Sequence, residues 1–423
     1  MTQAIFTSVH GGAALPATIL DLITRARSCA EAGAKLELEV MCFAFTDRQI
    51  AAALVALCRD LPAVTLRVIA DWSQSARGAP TVLESMAAQG LRNLFIKFKL
   101  DAPYVRDGDG RLRYSYAASW GMLHHKTMLI RIDGEPALMA LGSYNWSARG
   151  QQAYENLILT EDPAVLGPFA AEFAALWADH RLTAATDRAR HIMARMKTEA
   201  ALGRDLRDPR VLTDVLGVAG AETALPPPRR LAGGEVVTAF SGSVAPGNTP
   251  AAGHAVMNDR RALNLLRPAG ARRPAPLTLN TLALEAIRSV PPGARLVVAM
   301  YALSPRVPEF GALIDAARRG VQVAFILDGT IGAQTARGIG GFGLRDGLPL
   351  AVQTTSRRMH QKYLCCPDTG MVLTGTANMT EDATARHSDH RILWRNAPAL
   401  ATAFAADFDT MSARLAPAQR NAA

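Results

Sequence analysis

The sequence predicts an α/β protein of two pseudo-symmetric lobes, each a mixed, mostly parallel sheet flanked by helices. Three observations predict it. A short set of polar residues occurs twice: Met122-Leu123-His124-His125-Lys126 followed by Gly142-Ser143-Tyr144-Asn145, and Met359-His360-Gln361-Lys362 followed by Gly375-Thr376-Ala377-Asn378. Apolar segments around these sets recur in the same order. The offset between the copies is nearly constant: 236 residues between His124 and His360, and 235 between the pairs Phe169/Phe173 and Phe404/Phe408. A shared offset maintained over this length points to duplication.

In the first copy, Ile19 to Ala30 reads as a helix and Leu36 to Phe45 as a buried strand. A helix over Arg48 to Arg59 and a strand over Val64 to Asp71 follow. The second copy repeats the order: helix Thr281 to Val290, strand Leu296 to Leu303, helix Pro308 to Arg319, strand Val321 to Asp328. Strand–helix–strand order implies parallel pairs. Each H-x-K then runs into an apolar strand, Met128-Leu129-Ile130 or Tyr363-Leu364-Cys365. Asp133-Gly134 is a tight-turn signal that places the first motif on a hairpin. Each copy closes on a helix, Pro163 to Leu176 or Pro398 to Met411, whose phenylalanines at i and i+4 share one face and read as core.

Between the copies, His180 to Leu202 reads as a basic helix and Ala219 to Gly234, with Pro226-Pro227-Pro228, as an extended linker. Ser241 to Arg273 reads as a long loop. The organisation is therefore a first lobe over 1–190, a helix and Pro-rich linker over 191–236, and a second lobe over 237–423. The first lobe carries an insertion: Phe43 to His124 spans 81 residues, Tyr301 to His360 only 59. Asp101 to Gly121 accounts for much of it, with Tyr104, Tyr114, Tyr116 and Trp120 among Arg106, Arg111 and Arg113. Such residues stack the bases of a single strand or pack as a lid.

Side chains alternate along a strand, so H-x-K puts its histidine and lysine on one side. Two such halves offer two imidazoles and two ammoniums to one phosphate. One imidazole attacks phosphorus; the other protonates the leaving oxygen and later activates water or an alcohol. Lys126 and Lys362 offset the charge of the transition state. Gly142-Ser143 and Gly375-Thr376 let backbone and small hydroxyls approach the anion. Asn145 and Asn378 add amide donors, and Arg358 a further cation. No metal or other cofactor is needed. A single H-x-K is usually chance; duplication with the matching glycine and asparagine gives the motif its weight.

These motifs resemble the phospholipase D superfamily, whose signature is H-x-K, an Asp, then G-[GS]-x-N. Asn145-Trp146-Ser147 and Glu155-Asn156 are similar to its nuclease-type branch. The resemblance implies a phosphohistidine intermediate, with His124 as nucleophile and His360 as general acid. It also implies an acidic residue that orients the histidine of the opposite half: Glu155 for His360 and Asp389 for His124. The chain departs from the signature where the Asp belongs, five residues after each lysine. Arg131 and Pro367 stand there, with Asp133 and Asp368 displaced toward turns. His125 points away from its neighbours in a strand. His387 and His390, which flank Asp389, read as surface-loop histidines.

The five cysteines form no C-x-x-C pair or Cys/His metal spacing, which suits a reducing cytoplasm. Cys365-Cys366 reads as strand filler. No signal peptide or run of membrane-spanning length stands out, which counts against an integral membrane enzyme. The net charge of +9 attracts polyanions, nucleic acid or anionic phospholipid alike. The leading expectation is a phosphodiesterase acting on nucleic acid, with both halves of its site in one chain, so that a monomer suffices. The rivals are a phospholipase D or phosphatidyl transferase on lipid headgroups, and an inactive nucleic-acid-binding module.

Overall fold

The computed structural model describes residues 1–71, 80–99, 104–106, 112–114, 122–178, 186–204, 229–241, 278–385 and 387–415, with Gln74, Val211, Asp214 and Val215. The first lobe is built on β1 (Thr2–Phe6), β2 (Leu36–Cys42), β3 (Thr65–Asp71) and β4 (Leu94–Lys99). A small hairpin, β5 (Tyr104–Arg106) with β6 (Leu112–Tyr114), lies apart from the main sheet. Next come β7 (Lys126–Ile132), β8 (Glu135–Gly142) and β9 (Asn156–Thr160). The second lobe has β10 (Arg229–Gly233), β11 (Val236–Phe240), β12 (Arg295–Met300), β13 (Gln322–Asp328) and β14 (Leu350–Thr355). It is completed by β15 (Lys362–Cys366), β16 (Met371–Gly375) and β17 (His390–Trp394).

The sheet orders are β1-β9-β8-β7-β2-β3-β4 and β10-β11-β17-β16-β15-β12-β13-β14. Both are mixed and flanked by helices, as the duplicated pattern implies. The balance within them differs from the mostly parallel expectation. Only β2-β3-β4 and β12-β13-β14 pair in parallel; every other ladder is antiparallel. Short connections such as Asp133-Gly134 between β7 and β8 leave no room for a crossover, so the strands must run back alongside one another. The insertion follows β4, the parallel edge strand, in the chain. Apart from the backbone of β5 and β6, residues 101–121 lie outside those described, and with them the aromatic and arginine side chains named above.

Helices start where their sequences supply caps. Asp47 accepts from Gln49 N and Ile50 N ahead of Arg48–Asp60, and Asp162 accepts from Ala164 N ahead of Pro163–Trp177. Pro163–Trp177 and Pro398–Leu415 lie in a core shared by both sheets. Phe169, Phe173, Phe404 and Phe408 are buried there beside Leu141, Ile158, Phe240 and Ile392. Each sheet has a second core on its other face. The region between the lobes holds the expected helix, Thr186–Ala201. Arg229–Gly233, read as linker, forms an edge strand on β11. The remaining linker and the loop over 242–273 lie outside the described residues. All five cysteines are free thiols, and Cys365 and Cys366 are buried on β15. No helix among the described residues is long and apolar enough to cross a membrane.

Candidate active site

Both H-x-K motifs lie where a central antiparallel strand begins. Lys126 opens β7 and Lys362 opens β15, and both are buried. Each ammonium folds back on its own motif. Lys126 Nζ donates to the His124 carbonyl at 2.6 Å, and Lys362 Nζ donates to the His360 carbonyl. The segments ahead of the histidines are held from below: Asp71 Oδ2 accepts from Leu123 N, and Asp328 Oδ2 accepts from Met359 N, each at 3.0 Å. An aspartate ends the second parallel strand in both repeats, a match visible in the sequence whose role only the fold reveals.

The lobes meet through two backbone bridges. Leu123 pairs with Ser388 and Tyr154 with Met359, both in parallel. His124 N donates to Ser388 O at 3.0 Å, and His360 N to Tyr154 O at 2.9 Å. Each H-x-K segment is thus stitched to the acidic segment of the other lobe. As a result, His124 Nδ1 lies 2.8 Å from Asp389 Oδ1, and His360 Nδ1 lies 2.8 Å from Glu155 Oε1. His360 Nδ1 is also 3.2 Å from the Ser143 carbonyl, which can only accept. Nδ1 therefore carries a proton, and Nε2 is the atom left for a ligand.

Gly142 and Gly375 end β8 and β16 at φ 154° and 155°. A Cβ there would sit 2.4 Å from Asn156 O or 2.2 Å from His390 O, so only glycine lets these strands approach. The hydroxyls beside them correct an expectation. Ser143 and Thr376, candidates for contact with the anion, are buried behind the acids. Ser143 Oγ accepts from Asn156 N at 2.9 Å and Thr376 Oγ1 from His390 N at 3.2 Å. They fasten the strands that present Glu155 and Asp389. Asn145 and Asn378 each leave an amide oxygen buried with no hydrogen-bond partner among the described residues. Those oxygens can only accept, so a phosphate between the lobes would meet these amides through their NH2 groups.

The histidines beside Asp389 are also corrected: His387 and His390 are buried. His387 Nδ1 accepts from Met122 N at 2.9 Å, and its ring lies 5.9 Å from that of His124. His125 turns away from His124, as strand alternation requires, and stacks on His390 with centroids 5.2 Å apart. These histidines are drawn inside because the segment leads straight into β17, which begins at His390. The displaced aspartates hold structure: Asp133 Oδ1 accepts from Lys35 N at 2.9 Å, and Asp368 Oδ2 from Arg295 N at 2.7 Å. Both anchor the start of the first central strand. Arg131, in the signature's Asp position, pairs with Glu39 at 3.2 Å.

Sequence reading passed over Thr7 and Ser241, at the ends of β1 and β11. Thr7 Oγ1 donates to Ala153 O and accepts from Glu155 N at 3.0 Å. Ser241 Oγ donates to His387 O and accepts from Asp389 N at 2.8 Å. Each hydroxyl clamps the residue that orients the opposite histidine. Their only signal is a hydroxyl after an apolar strand, far too common to single out.

The family model for the cardiolipin synthase, phospholipase D-like domain matches residues 30–177 and 292–412, more than half of the chain. The chain belongs to the phospholipase D superfamily. Its likeness to solved structures concerns the fold. Phosphatidylserine synthase of Haemophilus influenzae Rd KW20 is 11% identical at a TM-score of 0.58, with 97% of this chain and 86% of that one covered. Nuc of Salmonella typhimurium, a phospholipase D family member, is 24% identical over 31% of this chain and 85% of its own, at a TM-score of 0.27. NucT of Helicobacter pylori is 17% identical over 42% and 95%, at 0.31. No curated protein matches in sequence at a significant level.

Burial sets the charge of this phospholipase D-like site. It pushes Lys126 down to about 8 and Lys362 to about 7, against the attraction of Glu155 and Asp389. His124 falls to about 4, through burial first and the Lys126 charge second. His360 is lowered as well, by burial and then Lys362. The two acids separate. Burial raises Glu155 to about 8, and Lys362 and the Ser143 hydroxyl only partly offset it. Burial also opposes ionisation of Asp389, but His124, His387 and Thr376 outweigh it and hold Asp389 well below the usual carboxylate range. An anion between the lobes would favour both ammoniums and offset the burial that depresses them.

Proposed function

We propose that the chain is a phosphodiesterase that hydrolyses nucleic acid through a phosphohistidine intermediate. The observation that carries this reading is the crosswise pairing of two histidines with two carboxylates beside two buried lysines. His124 Nε2 attacks phosphorus, and the bond to the leaving oxygen breaks as His360 delivers it a proton. Water then attacks the phosphohistidine, giving its proton back to His360, and the N–P bond breaks. Lys126, Lys362 and the amides of Asn145 and Asn378 hold the phosphoryl oxygens. Lysine charge provides this stabilisation, so the steps call for no metal.

The assignment of roles rests on how the pairs titrate. An ionised Asp389 beside a neutral His124 suits a nucleophile, because the carboxylate stabilises the positive imidazole formed on attack. Glu155 keeps a proton to about pH 8, and when the coupled pair places that proton on the imidazole, His360 carries N–H on both nitrogens and donates from Nε2 at neutral pH. The basic balance of the chain and the nuclease-like Asn145-Trp146-Ser147 and Glu155-Asn156 support nucleic acid as substrate.

A second reading, transfer or hydrolysis of phospholipid headgroups, is favoured by the cardiolipin synthase description of the matching family model. The extent of the likeness to phosphatidylserine synthase adds to it. The same residues serve, with an alcohol in place of water.

The test is cleavage of labelled single- and double-stranded DNA and RNA in EDTA, beside headgroup release from phospholipid vesicles, for wild type, His124→Ala and His360→Ala. EDTA-resistant nucleic-acid cleavage lost in both variants supports the proposal. Headgroup release alone moves the substrate to lipid. Tight nucleic-acid binding with no turnover, unchanged by His124→Ala, would make the chain a binding module.

A further inference from the structure

The two shoulders of the site are not equivalent. Phe43 and Tyr301 occupy matching positions, and each lies 5.3 Å between centroids from the histidine of its own lobe. Lys126 Nζ and Lys362 Nζ each sit 5.4 Å from the centroid of the same ring. Two changes break this symmetry. Tyr301 has a hydroxyl that Phe43 lacks. Two residues before the histidine, the second lobe has Arg358 where the first has Met122.

Arg358 is placed by these neighbours. Its guanidinium carbon lies 5.1 Å from the Tyr301 centroid, and Nη2 donates to the Tyr301 hydroxyl at 3.5 Å. That is its single side-chain hydrogen bond among the described residues, and the side chain is exposed. A guanidinium has five N–H donors, so most remain available to a ligand. Its charge reaches Glu155, His360 and Lys362, which puts it beside the reacting position. Across the site, Met122 is half-buried and carries no charge.

We infer that Arg358, stacked on Tyr301, is a subsite for a second phosphate of the substrate, on the second lobe's side of the scissile phosphodiester. An arginine placed over an aromatic ring presents a planar fork that matches two phosphate oxygens. The matching positions of the first lobe, Phe43 and Met122, carry no charge. The substrate class is therefore a phosphodiester with a further phosphate on one defined side, and the subsite sets the direction in which it lies. This rests on the phosphodiester reading of the site and adds the polarity that reading lacks.

The experiment measures binding by calorimetry to the full chain carrying His124→Ala, which prevents turnover. The ligands are thymidine dinucleotides with the internal phosphate alone, or with an added phosphate at the 5′ or the 3′ end. Glycerophosphoglycerol with and without a terminal phosphate forms a second arm. The expected result is that a phosphate added at one end tightens binding roughly tenfold, the size of a charge-assisted hydrogen-bonded contact. Arg358→Met, which installs the first lobe's residue, removes that gain; Arg358→Lys keeps part of it, and Tyr301→Phe reduces it. A gain in the nucleotide arm assigns the second phosphate to a nucleic acid, and a gain in the glycerol arm alone assigns it to a lipid headgroup. A gain that survives Arg358→Met, or no gain in either arm, overturns the subsite. Turnover by the wild-type chain is scored separately. Cleavage without the gain rejects the subsite alone, whereas the gain without cleavage rejects the hydrolytic reading alone.

Discussion

The two halves of the site share a plan and differ in what lies under it. In both, an H-x-K segment is stitched to the acidic segment of the other lobe, and a hydroxyl on an outer strand clamps that acid. Beneath the first half, His125 stacks on His390, with Nδ1 atoms 2.9 Å apart. Beneath the second, Gln361 takes the place of His125 and donates to Glu155 O at 3.2 Å and Asp407 Oδ1 at 3.3 Å. Tyr363 also donates to Asp407, at 2.8 Å. The acids above differ as well: one half has an ionised aspartate, the other a glutamate held protonated to about pH 8. The two halves carry like groups, and their unlike surroundings are what the proposed division into a nucleophile and an acid rests on.

The largest test of that division removes each histidine. On oligonucleotides, His124→Ala and His360→Ala should each lose roughly a thousandfold or more, within the range for nucleophilic and general acid groups. With p-nitrophenyl phosphodiesters, whose leaving group needs no proton, the variants should part. His360→Ala should trap labelled phosphoprotein in an acid quench, and His124→Ala should trap none. Label on the His124→Ala chain would reverse the roles.

The carboxylates should follow, with smaller losses. At pH 7, Asp389→Asn should slow turnover roughly a hundredfold, since it removes a charge the nucleophile depends on. On p-nitrophenyl phosphodiesters, whose leaving group needs no proton, Glu155→Gln should cost several-fold less, because it removes only the pair's transferable proton and no charge. Wild-type activity should fall as pH rises through about 8, where Glu155 loses its proton. That limb should be absent from the pH–rate profile of Glu155→Gln. Equal losses in the two variants would sink the distinction.

The stacked histidines predict how stability depends on pH. Burial lowers His124 to about 4 and His125 to about 3, and His360 and His390 are lowered too. Between about 6.5 and 4 the unfolded chain binds protons that the fold excludes, so stability is lost as pH falls through that window. Melting temperature against pH should show this slope. His125→Gln, which copies Gln361 into the first half, should flatten it; parallel curves would contradict this account.

The smallest expected effects lie at the clamps. Thr7→Val and Ser241→Ala each leave a buried N–H without its acceptor, which costs about 1–3 kcal/mol of stability by denaturant titration. Turnover should drop a few-fold in each, and Thr7→Ser should restore it. A stability loss with turnover unchanged would make the clamps purely structural.

Much of this was legible before folding. The repeated H-x-K and G-[ST]-x-N, the shared offset and the apolar segments between them are local patterns. They placed Lys126 and Lys362 at strand starts and the phenylalanines in the core. Strand direction was less legible, because apolar runs look alike whichever way the neighbour runs. Ser143 and Thr376 were assigned to the ligand because their spacing cannot say which way a hydroxyl turns. His387 and His390 read as surface residues because polar side chains after a charged, Thr- and Ala-rich stretch usually lie on loops.

The sequence by itself determined the chemistry on offer: one imidazole, one ammonium, one amide and one acid in each of two copies on an α/β framework. Those properties follow from residue identity and from periodicities of two and 3.6, which act over a few residues. Only the tertiary structure decided that His124 meets Asp389, 265 residues away, and that the acids sit in unlike surroundings. It also decided that Arg358 and Tyr301 make one shoulder cationic. Burial, pKa and the crossing of one lobe's segment onto the other depend on what packs nearby in space, and no local pattern records that.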